Sequence, residues 1–326
     1  MNRSAHQKTL PVGRFAPSPT GWLHFGSIVT ALASYCLARS AGGSWLVRME
    51  DLDRPRLVAG ADSVILYQLE ALGLLWDGPI RYQSRCLPLY QAALERLQRQ
   101  NRIYPCGCSR TQITAESHET GVDGPIYSGR CRQPEQRRRT RDSAWRLRVA
   151  PLAVRFRDGL QGEQRQQLAR EVGDFIIRRR DGQFAYQLAT PVDDADQGVT
   201  QVVRGGDLLG STARQIYLLK LLGQPQPAYV HLPLALHADG RKISKSAADC
   251  PCLPARPSPQ QAAAVLRAAL AFLGQNLPPQ FPPQASPAQI ITWACQSFDL
   301  RRVDPQPRCA VPDGCEFNRA PAQGPA

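Results

Sequence analysis

The chain has 326 residues, 43% of them apolar and 21% charged, with a formal net charge of +13 at pH 7. That length holds about two domains with a real core, the composition is that of an ordinary globular protein, and no apolar run approaches the ~18 residues of a membrane span. The positive balance fits a polyanionic partner, nucleic acid or a phosphate-rich ligand, with gene base composition as the competing source of so much arginine.

The opening MNRSAHQKTLPVGRF has no apolar core of the secretory kind, so a cytoplasmic protein without membrane association is expected. VGRFAPS predicts a short strand running into Pro17, Pro19 and Gly21. LHFGSIVTALASYCLARSAGG predicts a helix, with Ile28, Leu32, Tyr35, Cys36 and Arg39 at helical spacing and Gly42 and Gly43 to stop it. SWLVRMED predicts a buried strand ending on Glu50 and Asp51. Strand, turn, helix and parallel strand open a doubly wound α/β sheet of Rossmann type. Ligands of such sheets sit beyond the carboxyl ends of the strands, where Arg14, Ser18, His24 and Glu50 fall.

Helical patterns return over 59–74 and 89–100. From Cys106 to about Arg148 the chain is dense in arginine (130, 132, 137, 138, 139, 141, 146 and 148) and poor in apolar periodicity, which predicts an insertion between two halves of the sheet. The parallel-sheet pattern resumes with DFIIRRRDGQFAYQLATPVDD and VTQVVRGGDLLGSTARQIYLLKLLG, and AYVHLPLAL predicts another strand. After Cys250 the chain turns Pro-rich, with helices predicted over 260–273 and 287–296 and a disordered tail from about Arg301. The expected boundaries are 1–105, first half of the sheet domain; 106–172, the insertion; 173–250, the second half; and 251–326, a short helical remnant with its tail.

HFGS (His24 to Ser27) opens the first helix, where backbone N–H groups and the dipole favour an anion. Gly26 permits close approach of adenine or phosphate, and His24 can donate to a phosphate oxygen. Only four of the basic residues are lysines, and two of them, Lys242 and Lys245, fall in RKISKS. Lysine is a compact, rotatable point charge that can follow moving charge on a phosphate; a solvated surface turn is the other reading. Both motifs lie at one edge of one sheet, which suggests a nucleoside triphosphate held between them.

Ten cysteines are too sparse for a disulfide scaffold in a chain this long. Cys106, Cys108 and Cys131 in YPCGCSR and IYSGRC supply three soft ligands where zinc wants four, with His118, Asp123 or Tyr127 available to complete the site. The alternative is three unliganded buried cysteines. A bound zinc would be structural, stapling an insertion with too little core of its own. Cys250, Cys252, Cys309 and Cys315 lie in Pro-rich sequence and read as incidental.

RFAPSPTGWLHFGS, VRMEDLD, VVRGGDLLGSTARQIYLLKLLG and HLPLALHADGRKISKS resemble, in order, the catalytic core of the class I glutamyl-tRNA synthetases, from about Gly13 to Ser246. The resemblance implies a core that activates L-glutamate with ATP and magnesium. Its ATP signatures fall on His24–Ser27 and Lys242–Ser246, with Ser27 where the wider class has His. His24, Phe25, Gly26, Ser27 and Lys245 are then expected on ATP, and His24, Gly26, Lys242 and Lys245 as catalytic. Arg14, Phe15, Ala16, Pro17, Ser18, Glu50, Tyr186 and Arg204 are expected on glutamate. Two arginine forks suit two carboxylates, Glu50 suits the ammonium, and Tyr186 supplies a hydroxyl. The same resemblance selects Tyr127 as fourth zinc ligand, one zinc per chain.

Only 80 residues follow Ser246, too few for the helical anticodon-reading domains of a full glutamyl-tRNA synthetase. That architecture resembles the truncated paralogues, the glutamyl-queuosine tRNA(Asp) synthetases. It implies transfer of glutamate to queuosine in the tRNA(Asp) anticodon stem-loop, by a monomer, with the Arg-rich insertion as either a phosphate-contacting surface or a solvated charge run. The rivals are a short true glutamyl-tRNA synthetase aided by a partner, a small nucleotidylyltransferase with a similar His-x-Gly-x element, and a non-catalytic RNA-binding module.

Overall fold

A computed structural model describes residues 10–117, 119–121, 124–136, 142–237, 240–241 and 252–309. β1 (Val12–Phe15) leads through the Pro17–Gly21 turn to α1 (Phe25–Ser40) and β2 (Ser44–Met49), which lies parallel to β1 from Val12 opposite Ser44 to Phe15 opposite Val47. Ile28, Leu32 and Cys36 recur every fourth residue, and with Val29, Ala31, Ala33 and Ser34 also buried α1 is covered on most of its circumference, as a helix between the sheet and α8 and α9 must be. Gly43 lets β2 start against the edge of β1, because a Cβ there would fall 2.1 Å from the Pro11 carbonyl oxygen. α2 (Ala61–Ala71), β3 (Arg81–Tyr82) and α3 (Leu87–Arg99) complete the first half.

The chain then passes through β4 (Ile103–Cys106), α4 (Arg110–Glu116), the short pair β5 (Thr120–Gly121) and β6 (Gly124–Pro125), and β7 (Ala144–Leu147). A hairpin, β8 (Ala153–Asp158) and β9 (Gly162–Gln167), precedes α5 (Leu168–Glu171), β10 (Ile176–Arg178) and α6 (Tyr186–Asp196). β11 (Gln201–Gly205), α7 (Leu209–Leu221), β12 (Ala228–Leu232) and β13 (Ala235–Leu236) follow. Last come α8 (Pro259–Phe272), α9 (Pro287–Ser297) and β14 (Arg308–Cys309). α8 and α9 start on the same Ser-Pro-x-Gln pattern, and in each the serine and glutamine form a reciprocal capping box with proline at the first helical position.

The main sheet has the order β3-β2-β1-β11-β12-β8-β9, parallel except for β9 against β8, as expected of a Rossmann-type core. A second, antiparallel sheet has the order β10-β7-β4. The sheets part at other points than the expected boundaries of 106 and 172. β8 and β9 extend the main sheet, while β10, expected in the parallel sheet, pairs antiparallel with β7. β8 buries Val154, Phe156 and Asp158 and exposes Arg155 and Arg157, the alternation of a strand with one open face. Alternation shows a strand but not its partner.

One core lies under α1, where α8 and α9 pack with Leu266, Leu270 and Ile290 fully buried; Phe25 meets Phe272 edge-on at 5.7 Å. A second core joins α3, α6 and α7 to β11 and β12. The expectation of disorder from Arg301 is corrected up to residue 309: Val303 is buried, and β14 pairs in parallel with β13. No helix among the described residues is long and apolar enough to cross a membrane.

Candidate active site and metal-binding cluster

A cleft of about 510 Å³ opens at the carboxyl ends of β1, β2, β11 and β12. Arg14, Phe15, Ala16, Pro17, Ser18, Glu50, Tyr186 and Arg204 all line it, together with His24, Gly26 and Ser27. The side chain of Phe25 turns the other way, into the core against Phe272. Lys242 and Lys245 lie outside the described residues; Ala235 of β13, a few residues earlier, is on the cleft wall.

His24 is the N-cap of α1, and its Nδ1 accepts the Ser27 backbone N–H at 3.3 Å. A neutral ring in this setting carries its proton on Nε2, a donor beside the helix N-terminus. Gly26 makes the arrangement possible, since a Cβ there would press on the imidazole at 3.3 Å.

Beneath the cleft lies a charged network that sequence reasoning missed. Arg14 donates through Nε to Asp194 at 3.2 Å and through Nη1 to the Val203 carbonyl at 3.2 Å. Arg48, fully buried, donates through Nη1 to Asp194 and to Gln197, both at 2.8 Å, and through Nη2 to Glu50 at 3.4 Å. Thr190 donates to the same Glu50 oxygen at 3.0 Å. Burial pushes the Glu50 carboxyl above its ordinary range, against the opposing pull of Arg48 and Arg14. Burial works the same way on Asp194, but Arg14 and Arg48 outweigh it and hold that carboxyl below its usual range. The one signal in the sequence was a charge inside the apolar run WLVRM.

Arg204 is held differently. Its guanidinium donates to His231 Nε2 (3.0 Å), the Tyr186 hydroxyl (3.1 Å), Gln215 Oε1 (2.7 Å), Thr212 Oγ1 (2.8 Å) and the Leu208 carbonyl (3.5 Å). All five acceptors are uncharged side chains or backbone. A buried cation held this way keeps its charge for a ligand.

At the end of β4 in the second sheet, the sulfurs of Cys106, Cys108 and Cys131 lie within 4.8 Å of one another, and those of Cys108 and Cys131 are 3.5 Å apart. The Tyr127 hydroxyl is 3.5 Å from the Cys106 sulfur and 3.7 Å from that of Cys108, and accepts the Cys131 N–H at 2.9 Å. Zinc–sulfur bonds of about 2.3 Å in a tetrahedron put sulfurs about 3.8 Å apart, so three thiols and a phenol fit a zinc-sized cation. Burial, with the neighbouring Cys131 thiol and against the Tyr127 bond, pushes Cys108 up to about 11. His118 and Asp123 lie outside the described residues. Cys252 donates weakly to the Leu23 carbonyl and Cys309 sits exposed in β14; Cys250 and Cys315 are not described.

Of the described arginines in the Arg-rich run one is buried and three are half-buried, each with a partner. Arg146 is buried, Arg132 clamps Asp174 with two bonds (2.6 and 2.5 Å), Arg148 stacks on Tyr104 at 4.8 Å, and Arg130 pairs with Glu116 at 2.6 Å. Arg137, Arg138, Arg139 and Arg141 lie outside the described residues.

Residues 12–250 match the catalytic domain of the class I tRNA synthetases (E and Q). A glutamyl-Q tRNA(Asp) synthetase of Pseudomonas aeruginosa is 52% identical over 300 residues, 92% of this chain and 96% of the relative. One from Neisseria meningitidis is 50% identical over 293 residues, 89% and 96% of the two chains. Among solved structures, a glutamate tRNA ligase from Elizabethkingia meningosepticum in complex with its amino acid superposes with a TM-score of 0.73 at 24% identity, over 93% of this chain and 67% of that one. A glutamate-tRNA synthetase from Elizabethkingia anophelis gives 0.70 at 25% identity, over 90% and 66%. The cleft at the strand ends, the order of its motifs and the match along nearly the whole length of the Pseudomonas and Neisseria relatives agree: the chain is an enzyme of the class I tRNA synthetases and belongs to the glutamyl-Q tRNA(Asp) synthetase family.

Proposed function

We propose that the protein activates L-glutamate with ATP and magnesium to glutamyl-adenylate and transfers the glutamyl group to queuosine at the wobble position of tRNA(Asp). The observation that carries this reading is the set of charges around one cleft: Arg14 on β1, Glu50 just past β2 on one side of it, Arg204 on β11 on the other, and the α1 N-terminus in the same lining. A zwitterion with a second carboxylate needs two cationic forks and one anion. In this reading Arg204 and Tyr186 take the side-chain carboxylate, Glu50 the ammonium, and Arg14 helps orient the reacting carboxylate.

An oxygen of that carboxylate attacks the α-phosphorus of ATP and pyrophosphate leaves. His24 and the N–H groups at the start of α1 meet the phosphates, with Gly26 allowing the approach. Lys245 neutralises the charge that moves onto pyrophosphate, and Lys242 helps close the loop. Positioning and charge neutralisation supply most of the catalysis in such transfers. A nucleophile on the modified base then attacks the glutamyl carbonyl carbon, and AMP leaves.

Queuosine as acceptor is supported by the relatives, whose length this chain matches over 96%. A second cleft of about 430 Å³ is lined by Arg110, Tyr127, Arg146, Gln187 and Arg214, Gln187 following Tyr186 of the first cleft in the chain, and in this reading it takes the acceptor base. Cys106, Cys108, Tyr127 and Cys131 would hold a zinc, which supplies a crosslink for the small sheet.

The test locates the transferred glutamate. The protein is incubated with ATP, labelled glutamate and tRNA from queuosine-containing or queuosine-free cells, and the digested tRNA is searched for the labelled nucleoside. Label on the wobble nucleoside, seen only with queuosine-containing tRNA, is expected. Label on the terminal adenosine would replace this reading with a 3′-charging synthetase.

A further inference from the structure

We infer that Asp158 and His231 are positioning residues that aim Arg204 at the substrate's side-chain carboxylate, Asp158 by fixing the imidazole tautomer and His231 by fixing the guanidinium. The inference rests on Arg204 being the clamp for that carboxylate, as proposed above.

Arg204 is 4% exposed, and its Nε can only donate, so the His231 Nε2 that it meets at 3.0 Å must be without a proton. The imidazole proton then sits on Nδ1, and Asp158 Oδ2 lies 2.6 Å from that atom. The other oxygen of Asp158 accepts the backbone N–H groups of Leu160 (3.0 Å), Gln161 (2.9 Å) and His231 (3.2 Å), so the carboxylate has no freedom to turn. The imidazole is fully buried and stacks on Tyr229, the planes 14° apart. Thr212 closes the arrangement, its hydroxyl 2.8 Å from Arg204 Nη2 and 3.0 Å from His231 Nε2.

An imidazole does here what a carboxylate could not. It orients the guanidinium without cancelling its charge, and among the described residues no carboxylate lies within ion-pair distance of Arg204. Burial lowers the proton affinity of His231, and Arg204 adds to this against the pull of Asp158, which agrees with a neutral ring. The anion sits one residue further back, where it sets the tautomer and leaves the cation available to a ligand. Asp158 comes from β8, the strand that pairs with β12 beside His231.

Asp158→Asn puts an amide NH₂ opposite Nδ1, because the oxygen is retained by the three backbone donors. The imidazole must then move its proton to Nε2, where it opposes the Arg204 N–H. In pyrophosphate exchange with tRNA present, the KM for glutamate should rise about tenfold or more, the size of one lost charge-assisted bond, while the KM for ATP stays within about twofold. Arg204→Ala is the control. If it leaves the glutamate KM unchanged, the underlying reading fails. If it raises that KM while a folded Asp158→Asn does not, the relay fails and the reading stands. Should Asp158→Asn not fold, the ¹⁵N shifts of His231 in the wild-type protein decide. A neutral ring protonated on Nδ1 supports the relay, and a proton on Nε2 overturns it.

Discussion

Arg146 lies over the ring of Tyr127, its Cζ 4.0 Å from the centroid, and donates through Nε to the Cys106 sulfur at 3.3 Å. One cation thus touches two of the four groups that would hold a metal, and its Nη1 is anchored on the Asp174 carbonyl at 2.6 Å. A guanidinium against a ligand sulfur favours the anionic form that a metal needs. Arg146→Leu is expected to weaken zinc binding about 10–100-fold, the usual cost of losing such a supporting partner. Competition with a chromophoric chelator measures it, and an unchanged affinity would make Arg146 a packing residue.

If Glu50 meets the ammonium as proposed, it is expected to set an acid limit on glutamate binding. Burial raises its carboxyl, with Arg48 and Arg14 opposing. The group therefore takes up a proton at a pH above the ordinary carboxylate range of about 4.3. Protonation removes the charge that meets the ammonium, so the KM for glutamate should climb as pH falls through that raised value. In Glu50→Gln it should be high and flat over the same interval. Parallel profiles in the two proteins would assign the limb to another group.

The buried Arg48 is predicted to be a stability determinant. Its removal leaves Asp193 and Asp194, both buried, short of a cation that now sits 3.7 and 2.8 Å away. Arg48→Met should cost about 3–5 kcal/mol in urea denaturation. Adding Asp194→Asn should recover part of the loss, because it removes a stranded charge. No recovery would mean that shape, and not charge, carries the cost.

Lys245→Ala should lower pyrophosphate exchange by at least about 10²–10³-fold, the scale of one lost transition-state contact, with the melting temperature unchanged. Near-normal exchange would remove Lys245 from the reaction.

Much of this was legible from residues close together in the chain. RFAPS, HFGS and MED each place chemistry where a parallel strand ends or a helix begins, and backbone direction alone brings those points to one edge. The convergence of Cys106 and Cys108 with Cys131 was readable because thiols at short spacing commonly gather around one point. Phe25 shows the limit of a motif. It belongs to the signature, yet its side chain serves the core against Phe272, 247 positions later.

What stayed hidden was pairing over long separations. Arg48 meets Asp194 across 146 positions and Asp158 meets His231 across 73. Each of these residues looks, within its own strand or helix, like a polar group out of place. The β8–β9 hairpin was assigned to the insertion for the same reason: alternation announces a strand, and strand order depends on partners far away. Residues 301–309 read as disordered because their partners, β13 and the α8 core, are supplied by other segments. By itself the sequence determined the family, the sheet type and the cleft, since these follow from local periodicity and from residues at strand ends. Only the tertiary structure decided which buried charges are shared and which is kept whole for a ligand, because that depends on who the neighbours are once water is excluded.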